Sequence, residues 1–462
     1  TIATMMKRLL CALATASFVL CGCGGTGGSG GPSGTPPMVL VPAHLTVPEV
    51  TDSGDDWVTY AHDQMRSGYQ PQDTGITPSN VSTLQLNWTA NVAGGVVSSP
   101  IVTGGSVFIA GLGGAVTAFG TNDGRIQWST QLNREIRMTP AFSGGVLFVG
   151  THTYPGVLAA LDAKTGAIRW QATVPGSDRG EPLVAGGAVY EGMAGGDPPT
   201  CFQGGIYAYN IQTGAQLWSW FVDPFAGDGG SVWGPISFDG TDLIFGTGNT
   251  CKKILGTGDA VVRLSQSGVM AWADPTSDSR SDNDVGGGVL LSGNHAFFTS
   301  KNGLYYDADA VTGNIGSKMP LGGITGYGGI GNPTTDGSVI AVSAGYLSDP
   351  TVNPTAPGGK LVGLNAAGNQ LWSIPTQQPV FAYVAFTKGI AFATLDNKIV
   401  ALDPQSGRIL WSYTASAYFY GGPVVVPSGV YAVDTAGDVY AFDLSNGAAS
   451  GDSRSRIPRA RP

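Results

Sequence analysis

The stretch "LAALDAKTGAIRW", Leu158–Trp170, decides the fold of this chain. Its alternating apolar residues predict a strand, and the Asp-x-x-Thr-Gly pattern that follows predicts a tight turn. The glycine that ends this pattern can take a positive φ, and the aspartate side chain can bond the local backbone. A second strand leaves the turn and ends in tryptophan. The stretch therefore predicts a β-hairpin with an aromatic residue on its outer strand.

The same pattern recurs along the chain, with copies about 40 to 55 residues apart, which indicates a repeat protein. The relatives of the first copy are "VTAFGTNDGRIQW" ending at Trp128, "IYAYNIQTGAQLW" at Trp218, "VVRLSQSGVMAW" at Trp272, "LVGLNAAGNQLW" at Trp372, "IVALDPQSGRILW" at Trp411, and two that lack the tryptophan, "YYDADAVTGNI" (Tyr305–Ile315) and "VYAFDLSNG" (Val439–Gly447). The sequence thus contains eight copies of one structural unit.

Each copy is preceded by another hairpin, such as "PIVTGGSVFIAG", Pro100–Gly111, so each unit has four strands. Radial repetition of four-stranded units is the architecture of a β-propeller. We therefore predict an all-β, eight-bladed β-propeller with four-stranded antiparallel blades, in which the repeated tryptophans pack between blades. The last copy has no tryptophan strand, and "LQLNW", Leu84–Trp88, is expected to supply it and close the ring.

The bulk composition agrees with this architecture. The chain has 462 residues, of which 42% are hydrophobic and 12% charged, and it contains 72 glycines. This composition is typical of many short strands joined by tight turns, and a repeat architecture can carry such a length as one unit. The net charge of −9 argues against a nucleic-acid partner.

The N-terminal segment has the layout of an export signal. A basic pair precedes the apolar run Leu9–Leu20, which is too short to span a bilayer. The following residues, Leu20–Cys23, resemble a bacterial lipobox with Cys23 as the lipid-bearing residue, and Gly24 after it favours the outer membrane by the same resemblance. A plain cleaved signal with free cysteines is the alternative that stays open.

Four regions follow from these features. They are a lipoprotein signal peptide at 1–23, a flexible Gly/Ser/Pro-rich tether at 24–55, the propeller at 56–447 and a disordered basic tail at 448–462. We expect the protein to be exported and held at the outer membrane by its lipid anchor only, on the periplasmic or cell-surface side. In such an oxidising compartment, we expect a disulfide between Cys201 and Cys251.

Two hairpins bring polar residues to one edge of the predicted ring. The hairpin "WGPISFDGTDLIFGTGN", Trp233–Asn249, holds its two end residues at the same edge of the fourth blade. The hairpin "DVGGGVLLSGNHAFFTSK", Asp284–Lys301, does the same in the fifth blade. Because the inner strands of all blades run in one direction, we expect these four end residues to face one mouth of the central channel.

The chemistry of these four residues favours a flat, metal-bound ligand. An indole face, here that of Trp233, can stack on a planar ring. Amide and carboxylate oxygens, as in Asn249 and Asp284, suit a hard cation such as Ca²⁺. A lysine such as Lys301 can polarise a quinone oxygen, and a nearby carboxylate can remove the hydroxyl proton of an alcohol.

The repeats resemble the tryptophan-docking repeats of quinoprotein propellers, which bind pyrroloquinoline quinone (PQQ). The resemblance covers Trp57–Gly447, and the stretch "DWVTYAHDQMRSGYQPQDTGITPSNVSTLQLNW" is similar to the opening of PQQ-dependent alcohol dehydrogenases and of polyvinyl-alcohol-dehydrogenase-like proteins. The resemblance implies PQQ and Ca²⁺ as cofactors, with Trp233 stacking on PQQ and Asn249 binding calcium. It also implies that Lys301 contacts the quinone oxygens.

The resemblance implies further residues of the same site. Asp284 matches the catalytic aspartate, which also binds the metal, and Asp282 is the second choice. Arg137, in "NREIRMTPAF", is similar to an arginine that contacts the cofactor in some relatives. The calcium-binding glutamate of the family has two candidates here, Glu181 and Asp197, which both lie at the correct edge.

The sequence also departs from the family. The vicinal cysteine pair of PQQ alcohol dehydrogenases is missing, and "TCFQGG" (Thr200–Gly205) stands where polyvinyl-alcohol-type relatives often have "CCTFRG". No Cys-x-x-Cys-His motif is present, so we expect no covalent haem. If the protein is an enzyme, it would oxidise a small alcohol or a polymer and would pass electrons to an external acceptor.

Two other functions remain open. The outer-membrane β-barrel assembly lipoprotein has the same repeat and a lipid anchor, and a scaffold of that kind would bind outer-membrane proteins without a cofactor. A carbohydrate- or polymer-binding propeller at the cell surface is the third hypothesis, because the chain contains 16 tyrosines and 10 tryptophans.

Overall fold

The computed structural model describes residues 56–176, 180–195, 201–225, 229–251, 257–276, 282–322, 328–345 and 358–444. The predicted signal peptide with Cys23, the tether and the basic tail lie outside these residues. Within the described residues, strands form eight four-stranded antiparallel sheets and one small two-stranded sheet. The predicted eight-bladed β-propeller is confirmed.

The chain begins the ring with its closing strand. A short 3₁₀ helix, Val81–Thr83, leads into β1 (Leu84–Asn91). This strand pairs with β34 (Asp438–Leu444), the last described strand, so that Thr89 lies opposite Tyr440. The prediction that the N-terminal strand completes the last blade is confirmed.

The remaining strands follow the repeat, and we number the blades in chain order. Blades 1 and 2 contain β2 (Ile101–Thr103), β3 (Ser106–Ala110), β4 (Ala115–Gly120), β5 (Ile126–Gln131), β6 (Ala141–Ser143), β7 (Val146–Gly150), β8 (Gly156–Asp162) and β9 (Ile168–Val174). Blades 3 and 4 contain β10 (Leu183–Ala185), β11 (Ala188–Met193), β12 (Gly205–Asn210), β13 (Gln216–Phe221), β15 (Ser237–Phe238), β16 (Asp242–Gly246), β18 (Ala260–Ser265) and β19 (Met270–Pro275), with β14 (Gly229–Ser231) and β17 (Gly248–Thr250) forming the two-stranded sheet. Blades 5 and 6 contain β20 (Leu290–Ser292), β21 (His295–Ser300), β22 (Leu304–Asp309), β23 (Ile315–Pro320), β24 (Thr334–Thr335), β25 (Val339–Ala344), β26 (Gly359–Asn365) and β27 (Gln370–Thr376). Blades 7 and 8 contain β28 (Ala385–Thr387), β29 (Ile390–Leu395), β30 (Lys398–Leu402), β31 (Ile409–Thr414), β32 (Val424–Val426) and β33 (Gly429–Val433), with β34 and β1 completing blade 8.

The core lies between the blades. Apolar side chains of adjacent sheets pack face to face, as where Tyr190 and Ile206 of blade 3 join Leu243 and Val262 of blade 4 in one buried cluster. Burial of these apolar faces is the main favourable contribution to folding. Because each blade packs on two neighbours, closure of the ring covers the apolar faces of the blades.

The repeated tryptophans dock each blade onto the next. Beside each tryptophan the strand register shifts by one residue, as where Ala160 pairs with Trp170 and the next residue pairs with Ile168. The indole N–H then donates to a main-chain carbonyl of the following blade at 2.7–3.2 Å. These bonds join Trp88 to Thr121, Trp128 to Ala163, Trp170 to Ile211, Trp218 to Gln266, Trp272 to Val311, Trp372 to Pro404 and Trp411 to Leu84. The predicted packing between blades is confirmed.

The turn glycine of the repeat is required for this docking. Gly166 has φ +73°, and a Cβ on it would lie 2.5 Å from the indole of Trp128. A side chain would therefore be strained by the backbone and would also displace the tryptophan.

The N-terminal segment closes one end of the central channel. Main-chain hydrogen bonds join Trp57 to Val102 of blade 1 and Gly68 to Phe386 of blade 7. The residues between Trp57 and Gly68 bond to the intervening blades. Near the C-terminal end of this segment, Arg66 is fully buried and donates to Ile236 O at 2.6 and 2.9 Å. The mouth of the channel that carries the predicted site is at the opposite end of the inner strands. Among the described residues, no helix has the length and apolarity needed to cross a membrane.

Candidate functional site

A small two-stranded sheet positions the two ends of the blade 4 hairpin. Strands β14 and β17 pair so that Ser231 lies opposite Gly248. The disulfide between Cys201 and Cys251 ties this sheet to blade 3. Because β14 leads directly to Trp233 and β17 contains Asn249, this sheet holds the segments that carry both residues.

Asp284 is the centre of the predicted set. Its Oδ2 accepts hydrogen bonds from Lys301 Nζ at 2.7 Å and from Trp233 Nε1 at 3.0 Å. Its Oδ1 accepts from the backbone N–H of Asn249 at 2.8 Å. The structure therefore brings all four predicted residues together at one mouth, with Asn249 joined to Asp284 through its main chain.

Lys301 links the two acidic residues of the "DND" stretch. Its Nζ lies 3.0 Å from Asp282 Oδ1 and 5.2 Å from the centre of the Trp233 ring, so the ammonium also faces the indole. An ammonium at this distance from an indole face has a favourable cation–π interaction. Asp282, which the sequence left as second choice to Asp284, is thus part of the same cluster.

The charges of the cluster shift its ionisation equilibria. Burial alone would raise the pKa of Asp284, but the charge and hydrogen bond of Lys301 outweigh it, so the pKa of this carboxyl is lowered. Burial likewise lowers the pKa of Lys301, but Asp284 and Asp282 outweigh it and raise that pKa to about 12. Asp282 is half exposed, yet burial and the charge of Asp284 raise its pKa to about 6.

Sequence reasoning missed a third carboxyl group in this cluster. Asp259 is only 6% exposed, and its Oδ1 is buried with no hydrogen-bond partner among the described residues. Burial raises the pKa of Asp259 to about 8, with further contributions from the charge of Asp284 and from a hydrogen bond to it. The signal was the repeat itself, since Asp259 immediately precedes the apolar strand of the fourth copy at the same mouth.

Two glycines make room for the cluster. A Cβ on Gly286 would lie 2.0 Å from the Trp233 ring, and one on Gly248 would lie 2.9 Å from Asp284 Oδ1. Both positions are thus restricted to glycine by the side chains packed on them. The backbone is shaped for the indole and the carboxylate that the proposed ligand would need.

Arg137 and Glu181 are not joined to Asp284 by any hydrogen bond or ion pair found among the described residues. Arg137 pairs with Glu135 at 2.7 Å on the loop between β5 and β6. Burial raises the pKa of Glu181 to about 7, and the charge that opposes this shift is that of Arg66 in the channel-closing segment. Asp197 lies outside the described residues.

The donor set fits a cation in charge and chemistry. Three carboxyl groups, from Asp259, Asp282 and Asp284, face one ammonium group, and one of the buried oxygens has no partner within the described part of the chain. Such an excess of hard oxygen ligands favours a cation such as Ca²⁺. In their present positions, no three His, Cys, Asp or Glu side chains of the described residues converge closely enough to hold a metal ion. Binding would therefore need further oxygen ligands.

The fold and its docked tryptophans define an eight-bladed propeller of the quinoprotein type. A family model named PQQ_2, described as "Outer membrane protein assembly factor BamB", matches residues 76–140, 112–347 and 357–450. The chain belongs to this family. The resemblance to quinoprotein propellers inferred from the repeats is thereby confirmed.

Curated relatives of two kinds are similar to this chain. A quinohemoprotein alcohol dehydrogenase of Comamonas testosteroni is 29% identical over 42% of this chain and 33% of its own length. A polyvinylalcohol dehydrogenase of a Pseudomonas species is 22% identical over 79% of this chain and 68% of its own length. An outer membrane protein assembly factor BamB of Yersinia pestis is 32% identical over 31% of this chain and 34% of its own length. The first match therefore spans only a third of that dehydrogenase.

Solved structures show the same fold at low sequence identity. A europium-containing methanol dehydrogenase superposes with a TM-score of 0.72 and 17% identity, covering 85% of this chain and 98% of that one. BamB from Moraxella catarrhalis superposes with a TM-score of 0.58 and 18% identity, covering 79% of this chain and 98% of that one. Enzymes and assembly factors thus share this propeller, and fold alone does not choose between them.

Proposed function

We propose that the mouth around Asp284 binds PQQ together with Ca²⁺ and that the protein oxidises an alcohol. The observation that carries this proposal is the convergence of Trp233, Asp284 and Lys301 within direct contact of one another. Gly286 and Gly248 leave room for the Trp233 indole and the Asp284 carboxylate, which a stacked, metal-bound ligand would need in these positions. The similarity to quinohemoprotein and polyvinylalcohol dehydrogenases supports the same chemistry.

Each residue has a defined task in this proposal. When bound, PQQ supplies the acceptor for the two electrons removed from the alcohol. Trp233 offers its indole face to the planar ring, and Asn249 and Asp284 offer oxygens to Ca²⁺. Lys301 would offer its ammonium group to a quinone oxygen.

Asp284 is also the group that can take the proton. Because its pKa is lowered, its carboxylate is ionised at neutral pH and can accept the hydroxyl proton of an alcohol held within hydrogen-bond reach. The channel-closing segment at the other end leaves this mouth as the route of approach. Electrons would leave through an external acceptor, and we expect no covalent haem.

Reconstitution tests the proposal. The purified chain is freed of metal, mixed with PQQ and CaCl₂ and desalted, and the retained PQQ is measured by its absorbance. Dye reduction is then followed with a panel of small alcohols and with polyvinyl alcohol. We expect one PQQ per chain and alcohol-dependent reduction. Trp233→Ala should lose PQQ, whereas Trp220→Ala, on the outer strand of blade 3, should keep it.

A scaffold role is the second candidate, and the family description favours it. The matching model is that of an outer membrane protein assembly factor, and the Yersinia pestis relative has the same description. In the present arrangement both oxygens of Asp284 already have protein donors, so the cluster is also stable as a structural element. A protein that retains no PQQ at micromolar concentration but binds outer-membrane proteins would establish this role.

Both candidates fit the same location. We propose that the protein is exported and held at the outer membrane by a lipid on Cys23, facing the periplasm or the cell surface. Labelling of the intact cell's lipoproteins with a fatty-acid analogue, compared with a Cys23→Ser variant, tests the anchor.

A further inference from the structure

We propose that Asp259 is a ligand of the cation at this mouth, in the place that the sequence offered to Glu181. This inference rests on the proposed function, because it concerns the same Ca²⁺ site. It adds a residue that the sequence analysis did not name.

The backbone around Asp259 fixes its carboxyl group at the mouth. Its N–H donates to the carbonyl of Gly248 at 3.3 Å, which places it beside the strand that carries Asn249. Its own carbonyl accepts from Thr276 twice, from the backbone N–H at 2.9 Å and from Oγ1 at 2.8 Å. Asp259 also has φ 52°, a left-handed conformation that is costly for residues other than glycine and is favoured at functional sites.

One oxygen of the Asp259 side chain, Oδ1, lacks the partner that its burial requires. Within the described residues its Oδ1 is buried without a hydrogen bond, whereas the hydrogen bonds of the Lys301 ammonium go to Asp282 and Asp284. A buried carboxyl oxygen without a partner is unfavourable. A cation between Asp259 and Asp284 would supply that partner and would separate two facing carboxyl groups.

Glu181 has a different charged neighbour. Arg66 is the charged group that acts on it, and Arg66 belongs to the segment that closes the far end of the channel. The oxygens at the mouth are then those of Asn249, Asp259, Asp282 and Asp284. Oxygen ligands of this kind suit Ca²⁺, with the rest of its coordination coming from water or from the organic cofactor.

The test uses CaCl₂ alone and the purified full-length chain after treatment with a chelator. Calorimetric titration measures the calcium affinity of the wild type and of Asp259→Asn, Asp259→Gly, Glu181→Gln and Asp274→Asn. The glycine variant removes the ligand and suits the left-handed backbone. Asp274 is an acidic residue on the outer strand of the same blade and serves as the charge-matched control.

We expect both Asp259 variants to bind calcium at least tenfold more weakly than the wild type, and Glu181→Gln and Asp274→Asn to stay within about twofold. Melting temperatures without calcium should not fall in Asp259→Asn, because the amide has nearly the same shape as the carboxyl group and can also donate a hydrogen bond to Asp284. A purely structural Asp259 would instead lower that melting temperature. Unchanged calcium affinity in both Asp259 variants, or its loss in Glu181→Gln, overturns the inference.

The same variants separate this inference from the proposed function. Calcium binding that depends on Asp259 without retention of PQQ supports the inference and overturns the dehydrogenase proposal. Retention of PQQ and Ca²⁺ by Asp259→Gly at wild-type affinity overturns the inference and leaves that proposal standing. A wild type that binds neither Ca²⁺ nor PQQ overturns both.

Discussion

Lys301 and Asp284 form a buried ion pair in which Nζ lies 2.7 Å from Oδ2 and the carboxylate is only 6% exposed. The pair joins the end of β21 to the segment before β20, so it fastens the two ends of the blade 5 inner hairpin. The same carboxylate accepts the indole N–H of Trp233 from blade 4. One ionised group thus links two blades at the mouth of the channel.

Removal of the lysine should expose how much the cluster depends on this pair. Lys301→Ala leaves Asp284 buried beside other carboxyl groups without its cation, and breaking such a pair costs roughly 3 kcal/mol. We expect a lower free energy of unfolding in urea at pH 7. Lys388→Ala is the matched control, because Lys388 is exposed and lies 4.0 Å from Asp73, and it should cost less than about 1 kcal/mol. Equal losses in the two variants would contradict the central role of Asp284.

A methyl group at Gly286 should disable the site without unfolding the ring. The Cβ of Gly286→Ala would lie 2.0 Å from the Trp233 ring, so the indole must turn away and give up its hydrogen bond to Asp284. We expect loss of PQQ retention and a shift in tryptophan fluorescence, with little change in circular dichroism. Gly316→Ala is the control, since a Cβ there meets its nearest neighbour at an ordinary 3.6 Å. Full PQQ retention by Gly286→Ala would show that the indole does not hold the ligand.

Much of the ring and part of the site could be predicted because both follow from the repeat. The pattern around Trp170 sets strand, turn and docking residue together, and its phase places Trp233 and Lys301 at one mouth. Asp259 escaped prediction because its importance comes from burial beside Asp284, which is distant in sequence. Periodicity shows which edge a residue occupies, but not which of its neighbours share its charge.

The N-terminal segment escaped prediction for a different reason. Nothing in the pattern around Arg66 marks a residue that is buried at the end of a channel, because a basic side chain normally indicates a solvent-exposed position. Its burial depends on carbonyl groups such as that of Ile236, which only the closed ring brings together. The same long-range assembly gives Glu181 its charged neighbour, Arg66.

Glu181 should make stability depend on pH. Burial raises its pKa from 4.5 to about 7, so the folded protein holds a proton at pH values where the unfolded chain has released it. The associated stability is complete below pH 4.5 and is lost as the pH rises through about 7. We expect the wild-type melting temperature to fall over this range relative to that of Glu181→Gln, which cannot titrate. Parallel curves for the two proteins would show that folding does not raise the pKa of Glu181.

In the fifth blade, tryptophan docking can be tested by adding a tryptophan instead of removing one. Ser317 pairs with Asp307 immediately before the register shift, which is the position that tryptophan holds in the other blades. The turn glycine of the next blade, Gly368, has φ +78°, and a Cβ added to it would meet no atom of the described residues within 4 Å, whereas the equivalent Gly166 is covered by Trp128. The seam between blades 5 and 6 therefore has a docking position without its aromatic residue.

Ser317→Trp should fill that position and stabilise the ring. Burial of a large side chain contributes about 1–3 kcal/mol, and an indole N–H can also reach a turn carbonyl of blade 6. We expect the melting temperature to rise by a few degrees. Ser317→Leu is the control, because it adds apolar surface but no donor, and it should give a smaller rise. A tryptophan variant that melts no higher than the wild type would show that other contacts already close this seam. It would also show that a tryptophan at this position is not enough to stabilise the contact between two blades.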